Sequence, residues 1–143
     1  MTNRLIKPSE NFREEIGPAL AEYLNDPLSK RLANNLARAV DHHLTWTFEY
    51  YKDVDPSRLS GSSNEKEFRR QLISQCPELR IMNDLSDAAH HRFLRRPNDP
   101  PRATVASTAA YSTEAGELYV TDHKASFFRA ALEAVDFWRG WED

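Results

Sequence analysis

Apolar residues recur along most of this chain with the period of a helix, and only late in the chain with that of a strand. From Ser9 to Asn25, residues Phe12, Ile16, Leu20 and Leu24 return every four positions, the spacing of one helix face. Gly17-Pro18 falls inside that run and predicts a kink or two short helices. Asp26-Pro27 reads as an N-cap followed by a first-turn proline, opening the longest helix of the chain. Its stripe is Leu28, Leu32, Leu36, Ala39 or Val40, His43, Thr47 and Tyr51, and it ends near Lys52, where DVDPSRLSGSSN is a run of turn formers.

A third helix is expected from about Asn64, with Glu65 and Glu67 in the first turn, where the helix dipole favours acids. Phe68, Leu72 and Cys76 lie along its apolar side, and Pro77 ends it or starts the next one. Leu79, Met82, Leu85, Ala89 and Phe93 then stripe a fourth helix, which RRPNDPPR stops. Past these prolines, TVASTAAYS and ELYVT are short, rich in β-branched and aromatic residues, and separated by EAG, which reads as a β-hairpin at about residues 104–121. Asp122 is placed to cap a last helix carrying Phe127 or Phe128, Ala131, Leu132, Val135, Trp138 and Trp141. The expected fold is mainly α: a bundle of four to five helices with one β-hairpin before the C-terminal helix, in a single domain over residues 1–143.

Composition narrows what this fold can do. The chain is 40% hydrophobic and 29% charged, the balance of a globular domain. No apolar run approaches the roughly 18 residues of a membrane span, and the first residues hold no apolar stretch of signal-peptide length. Cys76 is the only cysteine, which rules out an internal disulfide and a thiolate metal cluster. The expectation is a cytoplasmic protein with no membrane partner. A net charge of −3 argues against a surface built throughout for nucleic acid, although Arg92, Arg95, Arg96 and Arg102 form a local basic patch. With four glycines the chain shows no Walker or Rossmann glycine fingerprint, and its serines lie outside any nucleophile elbow, so no cofactor is expected.

Two histidine doublets carry the remaining chemistry, Asp41-His42-His43 and Asp87-Ala88-Ala89-His90-His91. Adjacent helical residues point about 100° apart, so one ring of each doublet can face the core and the other solvent. Asp87 stands i,i+3 to His90 and i,i+4 to His91, and Asp84 lies one turn earlier. Asn83, Asp84, Asp87, His91 and Arg92 are therefore candidate ligand-binding residues. Asp87, His91 and His43 are candidate metal ligands if the second and fourth helices are neighbours. The simpler reading is an ordinary pair of helix-surface residues, since no HExxH template is present.

Arg38-Ala-Val-Asp-His-His43 has the Arg-x4-His pattern and so resembles the HEPN superfamily, whose helical bundles pair Arg and His across a dimer for metal-independent RNA cleavage. A second segment, CPELRIMNDLSDAAHHRFL, resembles a recurrent stretch of uncharacterised bacterial and phage proteins, Arg-x-x-Asn-Asp-Leu-x-x-Ala-x-x-His, followed there by a β-hairpin and a helix closing in Phe-Trp. That resemblance spans residues 64 to 141 and implies a HEPN-like or related helical fold. In such chemistry Arg38 and His43, or Arg80 and His90, are the catalytic candidates, a histidine moving the proton while arginine holds the phosphate.

Three functional expectations follow. The first is a helical module that binds a protein partner or small ligand, as a homo-oligomer (a dimer) joined through aromatic helix faces such as that of Trp46. The second is a HEPN-like RNase or toxin with RNA as partner. The third is a metal-binding bundle.

Overall fold

The computed structural model describes residues 6–93 and 110–141, with side chains before the first break described as far as Ala88. The chain runs as α1 (Pro8–Asn11), a π turn (Phe12–Ile16), α2 (Gly17–Asn25), α3 (Lys30–Val54), a 3-10 turn (Pro56–Leu59), α4 (Glu65–Gln75) and α5 (Glu78–Phe93). The strands β1 (Tyr111–Glu114), β2 (Glu117–Val120) and β3 (Ala125–Ser126) precede α6 (Phe127–Gly140). The fold is mainly α, with a small antiparallel sheet of order β1-β2-β3 before the last helix. The third strand is an addition to the expected hairpin, and residues 104–109 of that expectation lie outside the described residues.

Helix α3 is the spine of the bundle. It buries Leu32, Ala33, Leu36, Ala37, Val40, Leu44, Phe48 and Tyr51, and its most extensive packing is on α5. Phe68 and Leu72 of α4, Met82 and Leu85 of α5, and Phe127, Ala131, Val135 and Trp138 of α6 close the same core. Among the described residues no helix is long and apolar enough to cross a membrane.

The break expected at Gly17-Pro18 takes the form of a π turn. Gly17 N–H donates to Phe12 O, five residues back. Proline has no N–H, and in a regular helix its ring meets the carbonyl four residues earlier, here that of Glu14. Widening the preceding turn relieves that contact without ending the helix. Proline is the cause rather than glycine, since a Cβ built on Gly17 would meet Phe12 O at an ordinary 3.6 Å.

Two expected core leucines are corrected. Leu24 is 45% exposed and Leu28 is 49% exposed. A strict four-residue repeat overshoots a helical turn by about 40° at each step, so a stripe that is buried at Ile16 has rotated to solvent two repeats later. Leu28 lies in the turn before α3, not in its first turn as expected. Asp26, which precedes Pro27, is driven out of the helical region to φ −151°, ψ 74°. The cap of α3 is instead Ser29, whose Oγ accepts from Leu32 N at 3.2 Å. The last helix is corrected in the same way. Ala125 and Ser126 pair with β2, so α6 starts only at Phe127, and Ser126 Oγ rather than Asp122 receives a first-turn N–H, that of Arg129 at 3.3 Å. The β1–β2 turn has positive φ at both Ala115 and Gly116, 53° and 78°, which gives it the hand that matches strand twist.

Candidate functional site

Asp41, His42 and His43 are consecutive on α3, and each enters a different environment. His43 is 2% exposed and sits in the core. Its ring lies edge-on to Trp138 at 4.5 Å and to Phe12 at 6.1 Å. Asn11, itself buried, donates from Nδ2 to His43 Nδ1 at 2.8 Å, which leaves the ring proton on Nε2. This histidine is a packed core residue with its polar atom satisfied from α1.

Asp41 faces α4 and α5. Its Oδ1 accepts from Arg69 Nη1 in a close ion pair, and the same Nη1 donates to Asn83 Oδ1 at 2.9 Å. Asn83 Nδ2 in turn reaches Asp87 Oδ2 at 3.5 Å. Burial pushes the Asp41 carboxyl above the usual carboxylate range, and the charge and hydrogen bond of Arg69 pull it back. Asp87 adds a further upward push and His42 a downward one. The four side chains tie three helices together as a polar layer.

His42 faces the other way, onto an open groove between the N-terminal helices and α3. The groove has a volume of 460 Å³. From α3 it is lined by Asn35, Arg38, His42 and Trp46, residues at three-to-four spacing on one face. The opposite wall carries Glu14 and Glu15 of the π turn and Glu22 of α2. On the α3 wall Trp46 remains 44% exposed. An exposed indole next to carboxylates can stack on a cation while the carboxylates neutralise it.

The structure separates the residues singled out in the sequence. Arg38 lines the groove, but His43, at the far end of the Arg-x4-His pattern, is in the core, where no substrate reaches it. The histidine beside Arg38 is His42, four residues on. Arg80 is exposed on α5. Asp84 is engaged elsewhere: its Oδ2 lies 2.8 Å from His123 Nε2, joining α5 to the turn after β2. Asn83 and Asp87 belong to the polar layer. The side chains of His90, His91 and Arg92 lie outside the described residues. Of the proposed metal set, His43 is bonded to Asn11 in the core, whereas Asp87 of α5 meets Asn83. Among the described residues no group of three or more His, Cys, Asp or Glu is placed to hold a metal ion.

Sequence reasoning did not single out Glu14, Glu15, Glu22 or Asn35, and it placed Trp46 on an aromatic helix face without joining it to His42 in a groove. The signal was the second, polar stripe of α3, offset from the leucine stripe. A polar stripe is ordinarily solvated surface, and only the packing of α2 alongside it makes a groove. No family model, no curated protein and no solved structure matches this chain.

Proposed function

We propose that this protein is a binding module whose groove between α2 and α3 holds a basic segment of a partner protein. The observation that supports this reading is the exposed Trp46 in a 460 Å³ groove walled by Glu14, Glu15 and Glu22. A Lys or Arg side chain laid on the indole would meet carboxylates on the opposite wall, and the chain's net charge of −3 would speed its approach. The partner is a second copy of this chain in a homo-oligomer or a different protein. Light scattering with Glu14→Gln/Glu15→Gln/Glu22→Gln separates these, since only self-association is lost in the variant when no other protein is present.

The test of the groove itself is fluorescence anisotropy with a labelled octa-arginine peptide. The triple Gln variant should bind about tenfold more weakly than wild type. A control variant that neutralises Glu133 and Asp136, exposed on α6, should not. Equal weakening in both would leave only general acidity and end the reading.

A second reading, RNA cleavage by an Arg–His pair, has one observation in its favour: Arg38 and His42 line the same groove. It predicts cleavage in EDTA that His42→Ala abolishes. Wild type without activity at high concentration removes it. The three glutamates around the pair favour the first reading, because they repel a phosphodiester backbone.

A further inference from the structure

Among the described residues, the three glutamates of the groove between α2 and α3 take part in no ion pair, and Glu14, Glu15 and Glu22 are all exposed. Even with Arg38 on the α3 wall the groove is net negative, and the exposed indole of Trp46 lies along it. The densest run of cationic residues in the sequence is RFLRRPNDPPR, residues 92–102, with four arginines against one aspartate and with three prolines. Its side chains lie outside the described residues. Guanidinium groups pair with carboxylates through two parallel hydrogen bonds. A proline-rich stretch binds in an extended form at low entropic cost and lays its rings on aromatic side chains. This run therefore complements the groove twice, in its charge and in its aromatic wall.

We propose, resting on the reading that the groove takes a basic segment, that the groove of one copy holds Arg95, Arg96 and Pro97 of a second copy. The two arginines meet the glutamates, and the proline ring lies on Trp46. Reach decides for a second copy over the same chain. Arg95 and Arg96 follow Phe93, the last residue of α5, by two and three positions, a backbone span of at most roughly 7 to 11 Å. Helix α5 packs on the side of α3 that carries Asp41, whereas the groove opens on the side that carries His42. The helix between them is about 10 Å across with its side chains. Two copies related by a twofold axis exchange segments, so that each contact is made twice.

The experiment is sedimentation equilibrium of the full chain and of two charge-reversed variants, Glu14→Lys/Glu15→Lys/Glu22→Lys and Arg95→Glu/Arg96→Glu. Wild type should dimerise with a Kd on the order of 10 μM, and each variant alone at least about tenfold more weakly. An equimolar mixture of the two variants should dimerise about as wild type does, because both exchanged contacts again join opposite charges. Wild type that stays monomeric at about 100 μM, variants that dimerise as wild type does, or a mixture that stays monomeric would each overturn the proposal. If circular dichroism shows that a variant has lost its helices, a labelled peptide of residues 92–102 decides. Dilute wild type should bind it at least about fivefold more tightly than the same peptide carrying Arg95→Glu/Arg96→Glu, and equal binding would overturn the proposal. Octa-arginine tells the two failures apart. If it binds the groove while wild type stays monomeric, the reading of the groove stands and only the second copy is lost. If it also binds Arg95→Glu/Arg96→Glu more tightly than monomeric wild type, the segment lies in its own groove and exchange is refuted.

Discussion

The polar layer and the groove draw on the same kinds of side chain and on neighbouring positions of one helix. In the layer, Asp41 is 8% exposed and closed by Arg69, Asn83 and Asp87, so its charges meet one another. In the groove, Arg38, His42 and three glutamates face a space large enough for another molecule. What separates the two regions is whether a third element packs over the charges: α4 and α5 cover Asp41, whereas Trp46 stays 44% exposed beside the groove. Substitutions should therefore act on stability in one region and on binding in the other.

The largest effect is expected from Arg69→Ala. It leaves the Asp41 carboxylate buried without its cation, and urea unfolding at pH 7 should show a loss of about 3–5 kcal/mol. The loss should depend on pH with a definite sign. Burial already raises the folded-state pKa of Asp41 above the ordinary 3.8, so the native state holds that proton more tightly than the unfolded chain. The group then favours folding most at low pH, and the favour is lost as pH rises through the folded value. Removing Arg69 removes the chief opposing influence and raises that value further. The deficit of Arg69→Ala should thus shrink as pH falls from 7 toward 4; a deficit that grows instead would refute the assignment of Asp41 as the charge left behind.

His43→Ala comes next, at about 2–4 kcal/mol, from the cavity between Phe12 and Trp138 and the amide of Asn11 left without its acceptor. Thermal unfolding measures it, and octa-arginine binding should be unaltered. Weakened peptide binding in a folded His43→Ala protein would erase the division between core and groove. Asp41→Asn should cost within about 1 kcal/mol, because an amide oxygen still accepts from Arg69 while the buried charge disappears. Smallest is the stability change of Glu14→Gln/Glu15→Gln/Glu22→Gln, expected within about 0.5 kcal/mol of wild type. A larger loss would mean that these acids hold the fold together and would blur the contrast between the two regions.

Much of the fold was legible because burial writes itself into periodicity. The stripe Leu32, Leu36, Val40, Thr47 and Tyr51 on α3 is buried as its spacing predicts, and so are Phe68, Leu72 and Cys76. Errors arose where backbone chemistry overrode the pattern, as at Asp26-Pro27, or where a repeat of four drifted around the helix, as at Leu24. The site was much less legible. A doublet such as His42-His43 announces that one ring goes inward, but helical phase alone assigned His43 to the core stripe without revealing that Asn11 would satisfy it from 32 residues away. The groove depends on two helices lying side by side, and no single stretch of sequence carries that relation. Asn83 and Asp87 stood out as dense polar chemistry and proved to be bracing for Arg69.

The π turn at Phe12–Ile16 also fixes a phase relation. The turn takes up one additional residue within about a single turn, so Asn11 keeps the angle at which it meets the core histidine. Deleting exposed Arg13 would remove that additional residue and bring the Pro18 ring back against the carbonyl of Glu14. Relief of that clash would fall on residues 6–12, which carry Asn11, while the residues from Gly17 onward kept their places. In this chain a one-residue change of length near the N-terminus is therefore felt in the core, at His43.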